Sequence, residues 1–150
     1  MKTLLDIYEC FNAGKEQVGG KAYCLAKIHS HGIRVPKTFC VPCKVYEDYL
    51  HQSRLKDRIF FEINRMPLEQ MRWEEIWDTS LRIRNYFLNT PVPATIEKNL
   101  AGLIDTYCGN SVVAVRSSAP GEDEASSSFA GLHDSFLNVS GTSEIIKHIK

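Results

Sequence analysis

Residues 112–141 read VVAVRSSAPGEDEASSSFAGLHDSFLNVSG. The opening run, Val112 to Val115, has the β-branched composition of a buried strand, and the FLNV segment near its far end reads as a second. Arg116 stands where the first strand hands over to a loop, the place where ligands collect in α/β proteins. Ser117 and Ser118 follow, then a stretch rich in glycine, serine and acids, then Ser128-Phe129-Ala130-Gly131. A planar guanidinium with five donors, set among small residues carrying spare hydroxyl and amide groups, suits a polyphosphate. These residues alone leave a second reading open, in which GEDEASSS is a solvated loop and Arg116 is paired with Glu122 or Asp123.

Upstream, VGGKAYCLAKI at residues 18–28 places Gly19, Gly20 and Lys21 against the start of a helix. It is not a P-loop, because Gly20 occupies the lysine position and Ala22 follows Lys21 where serine or threonine is required. It also lacks the G-x-G-x-x-G dinucleotide pattern. The physical case for an anion site is general: glycines admit close approach, a helix N-terminus offers unpaired N–H groups, and Lys21 adds a full charge. A plain loop-to-helix junction with a surface lysine fits the same residues.

Around these two stretches the chain alternates helical and extended patterns, which points to an α/β or α+β class. Residues 3–10 form an apolar segment of unassigned type. Ala22, Leu25, Ala26 and Ile28 predict a helix from Lys21 to His31, ended by Gly32. IRVPKTFCVP is extended, since Pro36 and Pro42 forbid a helix through it, and KVYEDYLHQ begins another helix. Residues 53–107 read as helical, with NTPVPATIE supplying a turn within them. Within them Trp73, Trp77, Leu81 and Leu88 make one apolar stripe, with Ile76, Ile83 and Phe87 beside it, and Ile96, Leu100, Leu103, Ile104 and Tyr107 make another. Such stripes are expected to be core. TSEIIKHIK starts a last helix inside which the sequence stops, the pattern expected of a piece of a longer chain.

The 150 residues carry 18 basic and 18 acidic side chains, so no global field draws the chain to nucleic acid or to an anionic membrane. No stretch approaches the roughly 20 apolar residues of a membrane span, and the N-terminus does not read as a signal peptide. Five cysteines with no export signal are expected to be reduced thiols in a cytoplasmic protein. Cys40 and Cys43 have C-x-x-C spacing, but no second close pair exists to complete a zinc site, so structural thiols without metal are expected.

Taken together, GGKAYCL, VPKTF, VRSSAPGED, SFAG and the SFLN strand resemble, in order, the N-terminal nucleotide-binding domain of the phosphoenolpyruvate synthase and pyruvate phosphate dikinase family. The likeness extends over essentially the whole chain. It implies an α+β fold, the first lobe of an ATP-grasp domain in residues 1–150, with a small sheet and a helical insertion at about 53–107. It further implies that the full-length enzyme passes phosphoryl groups from ATP to a histidine on a separate domain. Lys21 and Arg116 match the family's phosphate-gripping lysine and arginine, neutralising charge as the phosphate chain is cleaved. Gly19, Gly20 and Ser117 flank them, and Ser128, Phe129, Ala130 and Gly131 match the loop that closes over the phosphates. Magnesium ligands are expected on a second lobe beyond this chain, and Glu122, Asp123 and Glu124 are not assigned to metal. The acceptor is left open between pyruvate and a rifamycin antibiotic, and a nucleotide-binding module without transfer activity stands as an alternative.

Overall fold

A computed structural model describes residues 2–121 and 134–150. In chain order the elements are β1 (Leu5–Asp6), α1 (Ile7–Ala13), α2 (Lys15–Ser30), β2 (Phe39–Cys40), α3 (Cys43–Gln52), α4 (Leu55–Ile63), α5 (Trp73–Asn89), α6 (Ala94–Tyr107), β3 (Val113–Arg116), β4 (Ser135–Val139) and α7 (Thr142–Ile149). A 3-10 turn at Leu68–Gln70 precedes α5. Helices dominate, and the strands form two separate antiparallel pairs, β1 with β2 and β3 with β4, where a single small sheet was expected. The class is α+β.

The chain gathers into two units, one made of Met1–Tyr46 with Thr95–Lys150 and the other of Glu47–Ala94. In the first, the apolar segment left unassigned by sequence becomes β1 and α1. Asp6 starts α1 because its carboxylate accepts the Glu9 N–H at 2.9 Å, while the Glu9 carboxylate accepts the Asp6 N–H at 3.1 Å. This reciprocal cap satisfies two donors that a helix start otherwise leaves open. α1 packs on α2 through Cys10, Val18, Ala22 and Ala26, which with Cys40 form a buried cluster. Small side chains at Ala22 and Ala26 let the two helices approach. β1 and β2 pair with Leu5 opposite Cys40. Phe39 stacks on Tyr107 at 4.7 Å between centroids, and Lys37 Nζ donates to the Tyr107 carbonyl at 2.8 Å, which ties β2 to the end of α6. α6 itself buries Ile96, Leu100 and Ile104, one turn apart on one face.

The β3–β4 pair departs from the buried strands the composition predicts. Along β3, Val113 and Val115 are half-buried while Ala114 and Arg116 are exposed, so one face is covered and the other open. The register shifts between Val113 opposite Val139 and Val115 opposite Phe136, leaving one extra residue on β4. Asn138 takes φ of 58° at this bulge, a left-handed conformation that asparagine tolerates better than most residues. α7 packs against both strands, and Phe136 stacks on His148 at 4.2 Å.

The second unit buries Leu55 and Tyr49 and, with them, a carboxylate. Glu62 on α4 accepts from the Tyr86 hydroxyl at 2.7 Å and from Arg82 Nε at 3.0 Å, both on α5. The Tyr86 hydroxyl, and after it the Arg82 guanidinium, hold this carboxyl below its usual range. Arg58 lies over the Tyr86 ring at 3.9 Å, and Tyr49 donates its hydroxyl to the Thr90 carbonyl at 3.2 Å. α5 thus turns Thr79, Arg82, Ile83, Tyr86 and Phe87 inward. The stripe expected to be core lies almost opposite: Trp73, Trp77, Leu81 and Leu88 are 73 %, 67 %, 48 % and 63 % exposed. Helical periodicity identifies an apolar face but not what covers it, and α5 has apolar residues on two sides. Among the described residues no helix is long and apolar enough to cross a membrane.

Candidate functional site

α2 is not one continuous helix. Lys15–Val18 make a first turn on Gly14, then Gly19 breaks the helical path with φ of 77° and ψ of 170°, and a second helical stretch resumes at Gly20. The helix expected from Lys21 is this second stretch. A positive φ of this size favours glycine, but the stronger constraint is space. A Cβ at Gly19 would stand 1.8 Å from the Ser118 carbonyl oxygen and 2.7 Å from Ser118 Oγ. Glycine is there because another part of the backbone lies where its side chain would be.

That other part is the segment leaving β3. Ser118 Oγ donates to the Val18 carbonyl at 2.8 Å and accepts the Ala22 N–H at 3.0 Å. The Gly20 N–H donates to the Ala119 carbonyl at 3.3 Å. Counted from Gly19 as the cap of the resumed helix, Ala22 is the third helical residue, whose N–H is ordinarily satisfied by the capping residue's own side chain. Gly19 has none, and Ser118, 96 positions away from Ala22, supplies the hydroxyl instead. The sequence leaves the N–H groups at this helix start open to an anion or to a plain loop-to-helix junction. The amides of Gly20 and Ala22 are bonded within the chain.

The two stretches singled out by sequence therefore meet. Gly19 and Gly20 are buried, Lys21 is half-buried, and Arg116 ends β3 exposed, opposite Ser135. Ser117, half-buried, lies between Arg116 and the serine that touches α2. Among the described residues no carboxylate forms an ion pair with Arg116. Ser128, Phe129, Ala130 and Gly131 lie outside the described residues, as do Glu122, Asp123 and Glu124. The residue that sequence reasoning missed is Ser118. Its only sequence signal is indirect, in that a helix opened by two glycines must borrow its cap.

Below this junction sit two thiols. Cys40 Sγ donates to the same Val18 carbonyl at 3.5 Å, and it neighbours the Cys10 thiol. The hydrogen bond with Cys10, and after it burial, push the Cys40 thiol well above the usual cysteine range. Cys43 opens α3, one residue ahead of the helix expected from Lys44. All five cysteines are free, and among the described residues no three His, Cys, Asp or Glu side chains gather as a metal site. A thiolate is the reactive form, so an aromatic disulfide reagent should modify exposed Cys24 first and reach Cys10 and Cys40 only when urea opens the chain. Labelling of Cys40 in the native protein as fast as Cys24 would contradict this burial.

The chain matches the family described as pyruvate phosphate dikinase, AMP/ATP-binding domain, over residues 15–150. It is 30 % identical over 149 residues to a rifampicin phosphotransferase from a Streptomyces species, covering 99 % of this chain and 17 % of that protein. It is 33 % identical over 140 residues to a probable phosphoenolpyruvate synthase from Staphylothermus marinus, covering 89 % and 16 %. A rifampicin phosphotransferase from Streptomyces sviceus is 36 % identical over 153 residues, covering 99 % and 17 %. The chain thus spans about a sixth of the length of these curated relatives.

Proposed function

We propose a function from this premise: the chain belongs to the pyruvate phosphate dikinase AMP/ATP-binding domain family. It acts as the first lobe of an ATP-grasp site in a longer, cytoplasmic phosphotransferase that moves phosphoryl groups from ATP to a histidine on a separate domain. The observation that carries this reading is the family match over residues 15–150, together with relatives named as phosphoenolpyruvate synthases and rifampicin phosphotransferases. The donor set fits a polyphosphate. Lys21, a half-buried residue, carries an ammonium, Arg116, exposed at a strand end, a guanidinium, and Ser117 a hydroxyl. Cations fixed beside the phosphate chain favour cleavage because they stabilise the charge that develops on the oxygens. With the Gly20 and Ala22 amides bonded within the chain, that role falls to side chains.

Magnesium would be held by a second lobe outside these residues. The names of the relatives favour two acceptors, pyruvate and a rifamycin, and the lobe that holds ATP serves either.

The test is to incubate the full-length protein with magnesium and ATP and map phosphohistidine by mass spectrometry under neutral conditions. Phosphate is expected on a histidine outside this chain, and on none of His29, His31, His51, His133 and His148. Label on any of these five, or none anywhere, counts against the reading.

A further inference from the structure

We infer that Ser118 is a positioning residue for the phosphate-binding lysine, holding Lys21 in register with the strand end that carries Arg116. The inference rests on the ATP reading of Lys21 proposed above. Its own basis is geometric. Lys21 is flanked on both sides by amides anchored to one short segment: the Gly20 N–H bonds the Ala119 carbonyl, and the Ala22 N–H bonds Ser118 Oγ. The Lys21 backbone is therefore clamped between two bonds to residues that follow Arg116 by two and three positions. Neither bond comes from α2's own sequence, since Gly19 cannot cap.

The hydroxyl at position 118 uses both of its capacities. Its proton goes to the Val18 carbonyl on the near side of the kink, and its oxygen takes the Ala22 N–H on the far side. One side chain thus bridges the break in α2 and fixes the angle at which the helix resumes. Alanine at 118 removes both bonds, leaves the Ala22 N–H without its partner, and frees the resumed helix to shift against β3. The core residues Val18, Ala22 and Cys40 remain, so the chain is expected to fold while Lys21 loses its fixed place.

The experiment is a double-mutant cycle on the full-length protein, reading ATP affinity by calorimetry for the parent, Ser118→Ala, Lys21→Ala and the double variant. Removing a helix cap of this kind should weaken ATP binding by roughly fivefold to tenfold when Lys21 is present. It should weaken it by less than about twofold when Lys21 is already alanine, because a residue acting through another has no effect once that other is gone. Ser118→Thr, which keeps the hydroxyl, should restore affinity to within about twofold of the parent. Amide exchange at Ala22 should quicken in Ser118→Ala and not in Ser118→Thr.

An equal loss in both Lys21 backgrounds makes Ser118 a structural residue only and overturns the inference. So does an unchanged affinity in Ser118→Ala. If Lys21→Ala itself binds ATP as the parent does, the ATP reading of Lys21 fails, and the inference fails with it. Should Ser118→Ala not fold, Ser118→Cys, of similar shape but with a weak thiol for a hydroxyl, carries the same cycle with the same outcomes.

Discussion

Gly19→Ala is expected to destabilise the chain by about 2 to 5 kcal/mol. Two costs combine. A left-handed backbone penalises a Cβ by roughly 1 to 2 kcal/mol. The new methyl also falls 1.8 Å from the Ser118 carbonyl oxygen, a distance no contact tolerates, and the neighbour is backbone that cannot rotate away. The helix and the β3 exit must separate, costing roughly another 1 to 3 kcal/mol. Gly14→Ala is the control, because Gly14 has φ of 82° yet nothing within 4 Å of its would-be Cβ. It pays the conformational cost alone. Urea unfolding of both variants separates the terms: Gly19→Ala should lie well below Gly14→Ala, and equal midpoints would show that the contact with Ser118 carries no weight.

Lys21→Ala and Arg116→Ala should each weaken ATP binding by the full-length protein by about tenfold to a hundredfold. A hydrogen bond between charged partners contributes roughly 1.5 to 3 kcal/mol, and each 1.4 kcal/mol is a factor of ten. Neither change opens a cavity, since Arg116 is exposed and Lys21 half-buried, so midpoints in urea should move little. Arg116→Lys should recover only part of the loss, because an ammonium cannot make the two parallel bonds of a guanidinium. Raising salt should weaken the parent more than either variant, as expected for contacts between full charges at a solvent-accessible site. Affinities within a factor of two of the parent would remove these side chains from the phosphate site.

What the sequence made legible was chemistry held in neighbouring residues. That a helix starts at Gly20-Lys21 and that a strand ends at Arg116 was readable because side-chain type and local spacing carry the signal. The helices of residues 53–107 were readable for the same reason, apart from the break near Pro67. Relations across distance were not. Nothing near position 118 indicates that its hydroxyl caps a helix 96 positions away, and nothing near Cys43 indicates that Cys40 finds its thiol neighbour in Cys10. That second pairing follows from β1 lying against β2, with Leu5 opposite Cys40. The Trp73 stripe was misread because periodicity reports which face of a helix is apolar, whereas exposure depends on which face the rest of the unit leaves open. Gly19 stood out for the close approach a glycine allows to an anion, and what lies against it in the fold is the Ser118 carbonyl.

In the proposed site one junction, the α2 kink docked on the β3 exit, presents Lys21 and Arg116 to the same phosphate chain. A crystal structure of the full-length protein with a non-hydrolysable ATP analogue tests it directly. The expected result is Lys21 Nζ and the Arg116 guanidinium both within about 3 Å of phosphate oxygens, with the Ser118 hydroxyl still bridging Val18 and Ala22. Phosphates bound elsewhere, or the two side chains projecting from opposite faces, would contradict the account.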